Sequence, residues 1–206
     1  MIELEDTFGA IDIYLFDQLL KGRLTPDMRV LDAGCGGGRN LVYLLQHGFQ
    51  VWGVDSNPDS VERTRSLASR LAPESDLERF VVAPVERLPH PDGAFDFVIS
   101  SAVLHFAPDE AAFDAMVDDM WRVLAGGGVM FARLASTIGL ENRVEPIEGR
   151  RHRLPDGSVR FLVDEAMLLG RTRRLGGELL DPIKTTVVQD MRSMTTWVVR
   201  KGGARA

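Results

Sequence analysis

The sequence predicts an α/β fold, a doubly wound and mostly parallel sheet with helices on both faces. Three observations carry this expectation. Between residues 29 and 134, short apolar runs alternate with helix-length amphipathic segments, the pattern of β–α units on a parallel sheet. The first of these runs opens into a glycine-rich turn and then a helix, in VLDAGCGGGRN at 30–40. Beyond 134 the alternation stops, and the chain closes on two strand-like runs joined through Asp190 and Arg192, which reads as an antiparallel hairpin. A chain of 206 residues with 45% hydrophobic content suits one well-cored domain.

The elements follow in order. Phe8, Ile11, Tyr14, Leu15, Phe16, Leu19 and Leu20 mark one helix over about 8–21, packed on the domain and ending near Gly22. A Thr25-Pro26-Asp27 turn leads to a buried strand at 29–33. A helix at 40–47 is capped by Gly48, and a second strand spans 49–55. Ser56-Asn57-Pro58 starts a helix to about 71, with proline near its first position. A third strand at 79–83 precedes the LPHPDG loop at 88–93, and a fourth spans 95–101. Pro108-Asp109 opens a helix to about 124, which AGGG at 125–128 closes before a fifth strand at 129–134. Residues 135–162 are polar, arginine-rich and weakly periodic. Asp164 caps a helix over 165–174, and the last strands lie at 184–188 and 194–200. Six or seven strands in one sheet are expected.

Composition narrows the classes. A net charge of −6 argues against a protein that tracks a nucleic-acid backbone. Cys35 is the single cysteine, so no internal disulfide forms. The acidic start, MIELEDTFGAIDIYLF, lacks a basic region and an apolar run, and no segment reaches the roughly 18–20 apolar residues of a membrane span. A soluble cytoplasmic protein is the simplest reading. The four histidines are dispersed and show no metal-ligand spacing.

The glycine loop asks which nucleotide-like ligand it holds. A dinucleotide fingerprint needs a third glycine at 39, which is Arg39, and no Gly-Lys-Ser/Thr follows to make a phosphate loop. The pattern is instead Asp32-x-Gly34-x-Gly36-x-Gly38. Asp55, at the end of VWGVD, can accept both hydroxyls of a ribose. It can equally cap the helix that starts at Pro58, and the two roles are compatible.

VLDAGCGGGRN, VWGVDSNP, VERLPHPDGAFDFVISSAVLHF and WRVLAGGGVMFAR together resemble the class I S-adenosylmethionine-dependent methyltransferases of small molecules, over about residues 28–134. KTTVVQDMRSMTTWVVRK is similar to that family's reversed last strand. The resemblance implies a Rossmann-like, seven-stranded sheet of order 3-2-1-4-5-7-6 with the last strand antiparallel. It also implies one domain over 1–206, with a lid helix in 1–24 and an insertion at 135–165 near the acceptor pocket. The implied activity is methyl transfer from S-adenosylmethionine to a small acceptor, leaving S-adenosylhomocysteine, with no nucleic-acid or membrane partner. A non-catalytic sensor or partner subunit that binds the same donor is the alternative. A nicotinamide-dependent oxidoreductase is disfavoured by Arg39.

The resemblance also distributes roles. Backbone at Gly34, Cys35 and Gly36 approaches the methionine part of the donor, Asp32 orients its amino group and Asp55 binds its ribose. Ser56 or Asn57 lies beside the adenine. Pro84 stands where many relatives carry an acid for the adenine amino group, leaving Val85 backbone and Glu86 to replace it. Ser100 borders the transferable methyl group. His105 is the candidate base, against a packed or solvated histidine, and Tyr14 and Arg133 join it as catalytic candidates. Phe8, Asp12 and Phe16 on one side, and Ser136, Arg143 and Arg150–Arg153 on the other, could cover the acceptor. The run Arg150-Arg151-His152-Arg153 either attracts an anion or is a solvated charge run interleaved with Glu145 and Glu148. Trp52, Trp121 and Trp197 read as structural. No Asn-Pro-Pro-Tyr-type sequence follows the fourth strand, which lowers base methylation.

Overall fold

The computed structural model describes residues 4–203. The chain begins with α1 (Leu4–Phe8) and α2 (Ile13–Leu20), then runs β1 (Arg29–Ala33), α3 (Val42–Gln46), β2 (Gln50–Asp55), α4 (Pro58–Leu71) and β3 (Phe80–Val82). It continues through β4 (Phe95–Ser101), α5 (Glu110–Val123) and β5 (Leu124–Ala135) to three short strands, β6 (Glu145–Glu148), β7 (Arg151–Arg153) and β8 (Val159–Phe161). The chain closes with α6 (Glu165–Arg174), β9 (Gly177–Leu179), β10 (Lys184–Val188) and β11 (Arg192–Lys201).

The main sheet has the order β10-β11-β5-β4-β1-β2-β3. This is the expected 3-2-1-4-5-7-6 arrangement, with β11 antiparallel to β5 and the inner strands parallel. An eighth strand corrects the expected count of seven. β9 pairs with residues 199–201 of β11, and β10 pairs with residues 192–196. Three residues are too few to show a period-2 pattern in sequence.

Three further expectations are corrected. The single helix over 8–21 is two helices, because the chain turns at Gly9–Ala10 and restarts where the Asp12 side chain accepts the Tyr14 N–H at 3.0 Å. Residues 125–128 do not close a helix. They form the bulged start of β5, since Phe95 pairs with Leu124 while Phe97 pairs with Val129. The polar stretch after 135 is not featureless: β6, β7 and β8 form a separate antiparallel sheet. All four residues of β6 are exposed, so no apolar alternation announces it.

Both faces of the main sheet are packed. One carries Val98, Met130 and Trp197 against Phe113 of α5 and Leu168 of α6. The other carries Val30, Phe97 and Phe131 against Leu15 of α2 and Leu44 of α3. A small cluster of Ala135, Leu140, Leu154 and Leu162 holds the β6–β8 sheet. Each fully buried large apolar side chain contributes about 1.5–3 kcal/mol. Trp197 is fully buried and donates its indole N–H to Thr172 Oγ1 at 2.9 Å. Trp52 lies under the Arg79 guanidinium at 4.4 Å and edge-on to Phe95, while Trp121 packs on the core. All three tryptophans are structural.

Candidate active site

The carboxyl ends of β1, β2 and β4 frame a cavity of about 660 Å³, within the usual range for a small-molecule site. Sheet order reverses here, where open α/β sheets place their ligand crevice. One side of the wall is Gly34 to Gly37, Arg39, Asn40, Asp55 and Ser56. Pro84, Val85 and Glu86 also line it, and Ser101, Ala102, Val103, Phe106, Ala107, Pro108, Ala112 and Met116 complete the wall.

Main-chain groups hold the glycine loop. The Gly34 and Cys35 N–H groups both donate to the Val54 carbonyl, at 2.7 and 3.0 Å. Gly34 has φ 88, and a Cβ there would lie 2.3 Å from Val103 Cγ2. Gly34 is therefore glycine because Val103 fills its space, not because a ligand would clash. Gly36 differs. It has φ 56 and nothing within 4 Å of where a Cβ would stand, so its face is open.

Asp55 clamps this loop to the next helix. Its Oδ2 accepts the Gly36 N–H and its Oδ1 the Asn57 N–H, both at 2.9 Å. A carboxylate offers about four lone-pair sites, so two such bonds leave acceptor capacity at the wall. Asn57 caps α4 by accepting the Asp59 N–H at 2.9 Å and is absent from the wall, whereas Ser56 is on it. Asp32 lies behind the loop, 1% exposed, and neither carboxylate oxygen has a partner among the described residues. Burial pushes it up to about 7, with Arg39 opposing and Asp55 adding to the rise. Cys35 reaches the wall, but burial above all, and then Asp32, pushes its thiol up to about 12. It is no nucleophile at neutral pH.

On the opposite side the chain turns sharply after β4. Ala102 adopts φ 65, a left-handed conformation unusual for a side chain with Cβ. Its N–H donates to the Arg133 carbonyl at 2.7 Å. Ser101 faces the wall, and its hydroxyl accepts from Arg39 Nη2 at 2.8 Å. Ser100 is fully buried with no partner for its hydroxyl among the described residues. Strand alternation turns it to the opposite face, so Ser101 and not Ser100 lines the cavity.

The catalytic candidates stand elsewhere. His105 is buried, and its Nδ1 accepts the Ala135 N–H at 3.3 Å. Burial, and then Arg160, lower it to about 4. The ring is neutral with its proton on Nε2, so Nδ1 is not a free base. Arg133 pairs with Asp12 at 3.1 Å and lies 4.6 Å from the Tyr14 ring centre. The Tyr14 hydroxyl bonds Thr186 Oγ1 at 2.7 Å. These contacts fasten α2 to β5 and β10, and none of the three residues is on the cavity wall. Phe8 packs on Phe16 and Tyr43 at 5.0 and 5.1 Å. Ser136 bonds Ser193, and Arg143 pairs with Asp190. Arg150 is engaged by Asp164 and Glu110, and Arg153 by Glu145. The charge run is largely self-neutralised.

A family model described as a methyltransferase domain matches residues 31–132. Residues 31–132, just under half of the chain, carry the likeness to this family. Over 108 residues the domain is 35% identical to 2-methyl-6-phytyl-1,4-hydroquinone methyltransferase of Synechocystis sp., covering 52% of this chain and 32% of that protein. The chain thus spans well under two thirds of the curated relatives it matches, 46% in the case of an uncharacterized Synechocystis methyltransferase. Among solved structures, a SAM-dependent methyltransferase of Methanosarcina mazei superposes with a TM-score of 0.71 at 21% identity, covering 90% of this chain and 97% of that one. The 1,6-didemethyltoxoflavin-N1-methyltransferase of Burkholderia thailandensis, solved with that compound and S-adenosylhomocysteine, gives 0.68 at 21% identity over 97% and 81%. At these identities the likeness is one of fold.

Two wall residues of the methyltransferase domain escape sequence reasoning. Arg39 reads only as a missing glycine, yet it lines the cavity and bonds Ser101 and the Ala10 carbonyl. Asn40 accepts the Asp12 N–H at 3.0 Å and so ties α2 to the loop. Their position directly after the glycine turn is the signal that could have found them. Among the described residues no helix is long and apolar enough to cross a membrane.

Proposed function

We propose that this chain transfers a methyl group from S-adenosylmethionine to a small-molecule acceptor and releases S-adenosylhomocysteine. The observation that carries this reading is Asp32, a buried carboxylate with no partner among the described residues, set behind an open loop that Asp55 clamps. An unpartnered buried acid is costly, and a cationic amino group brought near would offset that cost. Gly36 supplies the open face for the methionine part, Asp55 the acceptors for the ribose hydroxyls, and Ser56, Val85 and Glu86 the surroundings of the adenine. Pro84 gives the adenine amino group no side-chain acceptor. The Burkholderia protein of the same fold was solved with S-adenosylhomocysteine and 1,6-didemethyltoxoflavin bound, a combination in keeping with this reading.

The chemistry the donor supplies when bound is an electrophilic methyl group on a sulfonium. The chain's own contribution is alignment and exclusion of water. Ala102, Val103, Phe106 and Met116 make the acceptor end apolar, which suits an in-line displacement whose charge disperses. With its Nδ1 occupied, His105 positions the segment after β4 rather than taking a proton. Tyr14 and Arg133 hold the lid closed over Asn40 and Ser101. In this reading the 206 residues act as one domain, with 1–24 as lid and 135–165 as the outer wall, in a reducing cytoplasm that suits its free cysteine.

Ligand linkage tests the reading. S-adenosylhomocysteine is expected to raise the melting temperature, and Asp55→Ala to weaken its binding at least tenfold by calorimetry, about 1–3 kcal/mol for lost hydrogen bonds. No thermal shift at saturating ligand overturns the donor site. S-adenosylhomocysteine formed from S-adenosylmethionine only when a small acceptor is present establishes turnover. Binding with no turnover across a broad acceptor panel makes the chain a sensor.

A further inference from the structure

Beside Phe106, an exposed residue of the cavity wall, stands an arginine that the fold leaves without an acid. Arg160, on β8, lies with its guanidinium 4.8 Å from the ring centre of Phe106, a wall residue that is itself 62% exposed. One of its N–H groups donates to the Val159 carbonyl. No carboxylate lies within ion-pair distance of it among the described residues. The neighbouring acids are engaged elsewhere: Glu110 by Arg171 and Arg150, Asp164 by Arg150, and Asp109 by the Ala112 N–H that it caps. The arginines at 150 and 171, which share those acids, are neutralised in this way, whereas Arg160 keeps its charge unopposed beside an open ring. Its field reaches the site, since it helps hold His105 uncharged.

We propose that Arg160, laid across Phe106, is the specificity residue for the acceptor, and that the acceptor carries a carboxylate on an apolar body. The guanidinium plane, supported by the Phe106 ring, keeps a two-pronged donor face at the rim, the geometry that a carboxylate meets with two parallel hydrogen bonds. The apolar part of such an acceptor fits between Ala102, Val103 and Met116, which directs its nucleophilic end towards the loop. His105, neutral and beside Phe106 at 4.6 Å, adds no second charge and competes for no anion. Arg160 is thereby a recognition residue that plays no part in holding the donor.

This inference rests on the methyl-transfer reading, and the experiment separates their failures. With S-adenosylhomocysteine bound, a panel of hydroxybenzoates and other small aromatic acids is compared by calorimetry with the matching amides, in the wild type, Arg160→Gln and Arg160→Lys. The expected result is at least a tenfold preference for acids in the wild type, lost in Arg160→Gln and only partly kept in Arg160→Lys. The affinity for S-adenosylhomocysteine stays the same in all three. A wild type that shows no acid preference, including one that binds no acid, overturns the inference, as does a preference that survives Arg160→Gln. Loss of S-adenosylhomocysteine binding in the wild type instead overturns the donor site.

Discussion

The donor end of the cavity and the elements that surround the cavity are built by different means. At the donor end, main-chain groups do the positioning. Gly34 and Cys35 hang on the Val54 carbonyl, and the Gly36 N–H hangs on Asp55. Off the wall, among the elements that surround the cavity, side chains from separate parts of the chain meet in pairs. Arg133 holds Asp12, Arg171 holds Asp114 and Glu110, and Arg150 holds Asp164. A main-chain cradle fixes one geometry and tolerates little change, which suits a ligand whose shape never varies. The partly exposed pairs contribute little each, about 0–1 kcal/mol, while Arg133–Asp12 is mostly buried. The partly exposed ones can be exchanged one at a time with little consequence for the wall.

The largest effect is expected where the cradle has no slack. Gly34→Ala places a methyl group against Val103 in a left-handed backbone. It should lower S-adenosylhomocysteine affinity at least a hundredfold and lower the melting temperature more than a substitution at Asp32 or Tyr14. Retained affinity in calorimetry would break the contrast between the two regions.

An intermediate effect comes from Asp32, and its sign follows from proton linkage. The folded chain holds this proton up to about 7, well above the ordinary carboxylate value, so between roughly pH 4 and 7 the folded state binds more protons than the unfolded one. Stability from this group is therefore full below pH 4 and is lost as pH rises to about 7. Asp32→Asn should remove that decline, melting higher than the wild type at pH 8 without ligand, yet bind S-adenosylhomocysteine at least tenfold more weakly. A variant that melts lower at pH 8 would show the carboxylate to be stabilising, contrary to its lack of partners.

The smallest effect is expected at the fastening of α2. Tyr14→Phe keeps the ring beside Arg133 and loses the hydroxyl contact with Thr186. It should cost about 0.5–1.5 kcal/mol of stability and leave S-adenosylhomocysteine affinity within twofold. A larger loss of affinity would mean that the lid also shapes the donor end.

The same contrast explains which parts of the molecule are legible in the sequence. The strand, loop and acid of the donor end lie close together along the chain and act through main chain, so Asp32, Gly36 and Asp55 can be picked out by spacing. The surroundings of the cavity depend on meetings between distant segments. Nothing near Arg160 announces Phe106, and nothing near Tyr14 announces Thr186. Single-residue shifts defeat pattern reading as well: Ser100 and Ser101 are identical in type, and only the phase of β4 decides which one faces the cavity. The β6–β8 sheet is short, polar and largely exposed, so its strands carry no apolar period to read.

Gly34 and Val103 have a consequence for how such a chain drifts over generations. Their shapes interlock so closely that neither position is free by itself. A Cβ at 34 would lie 2.3 Å from Val103 Cγ2, and Val103 itself lines the cavity, so a change at either position is felt at the other and at the wall. Residues at the rim meet fewer neighbours and can be replaced one by one, whereas a substitution at 34 calls for a matching change at 103.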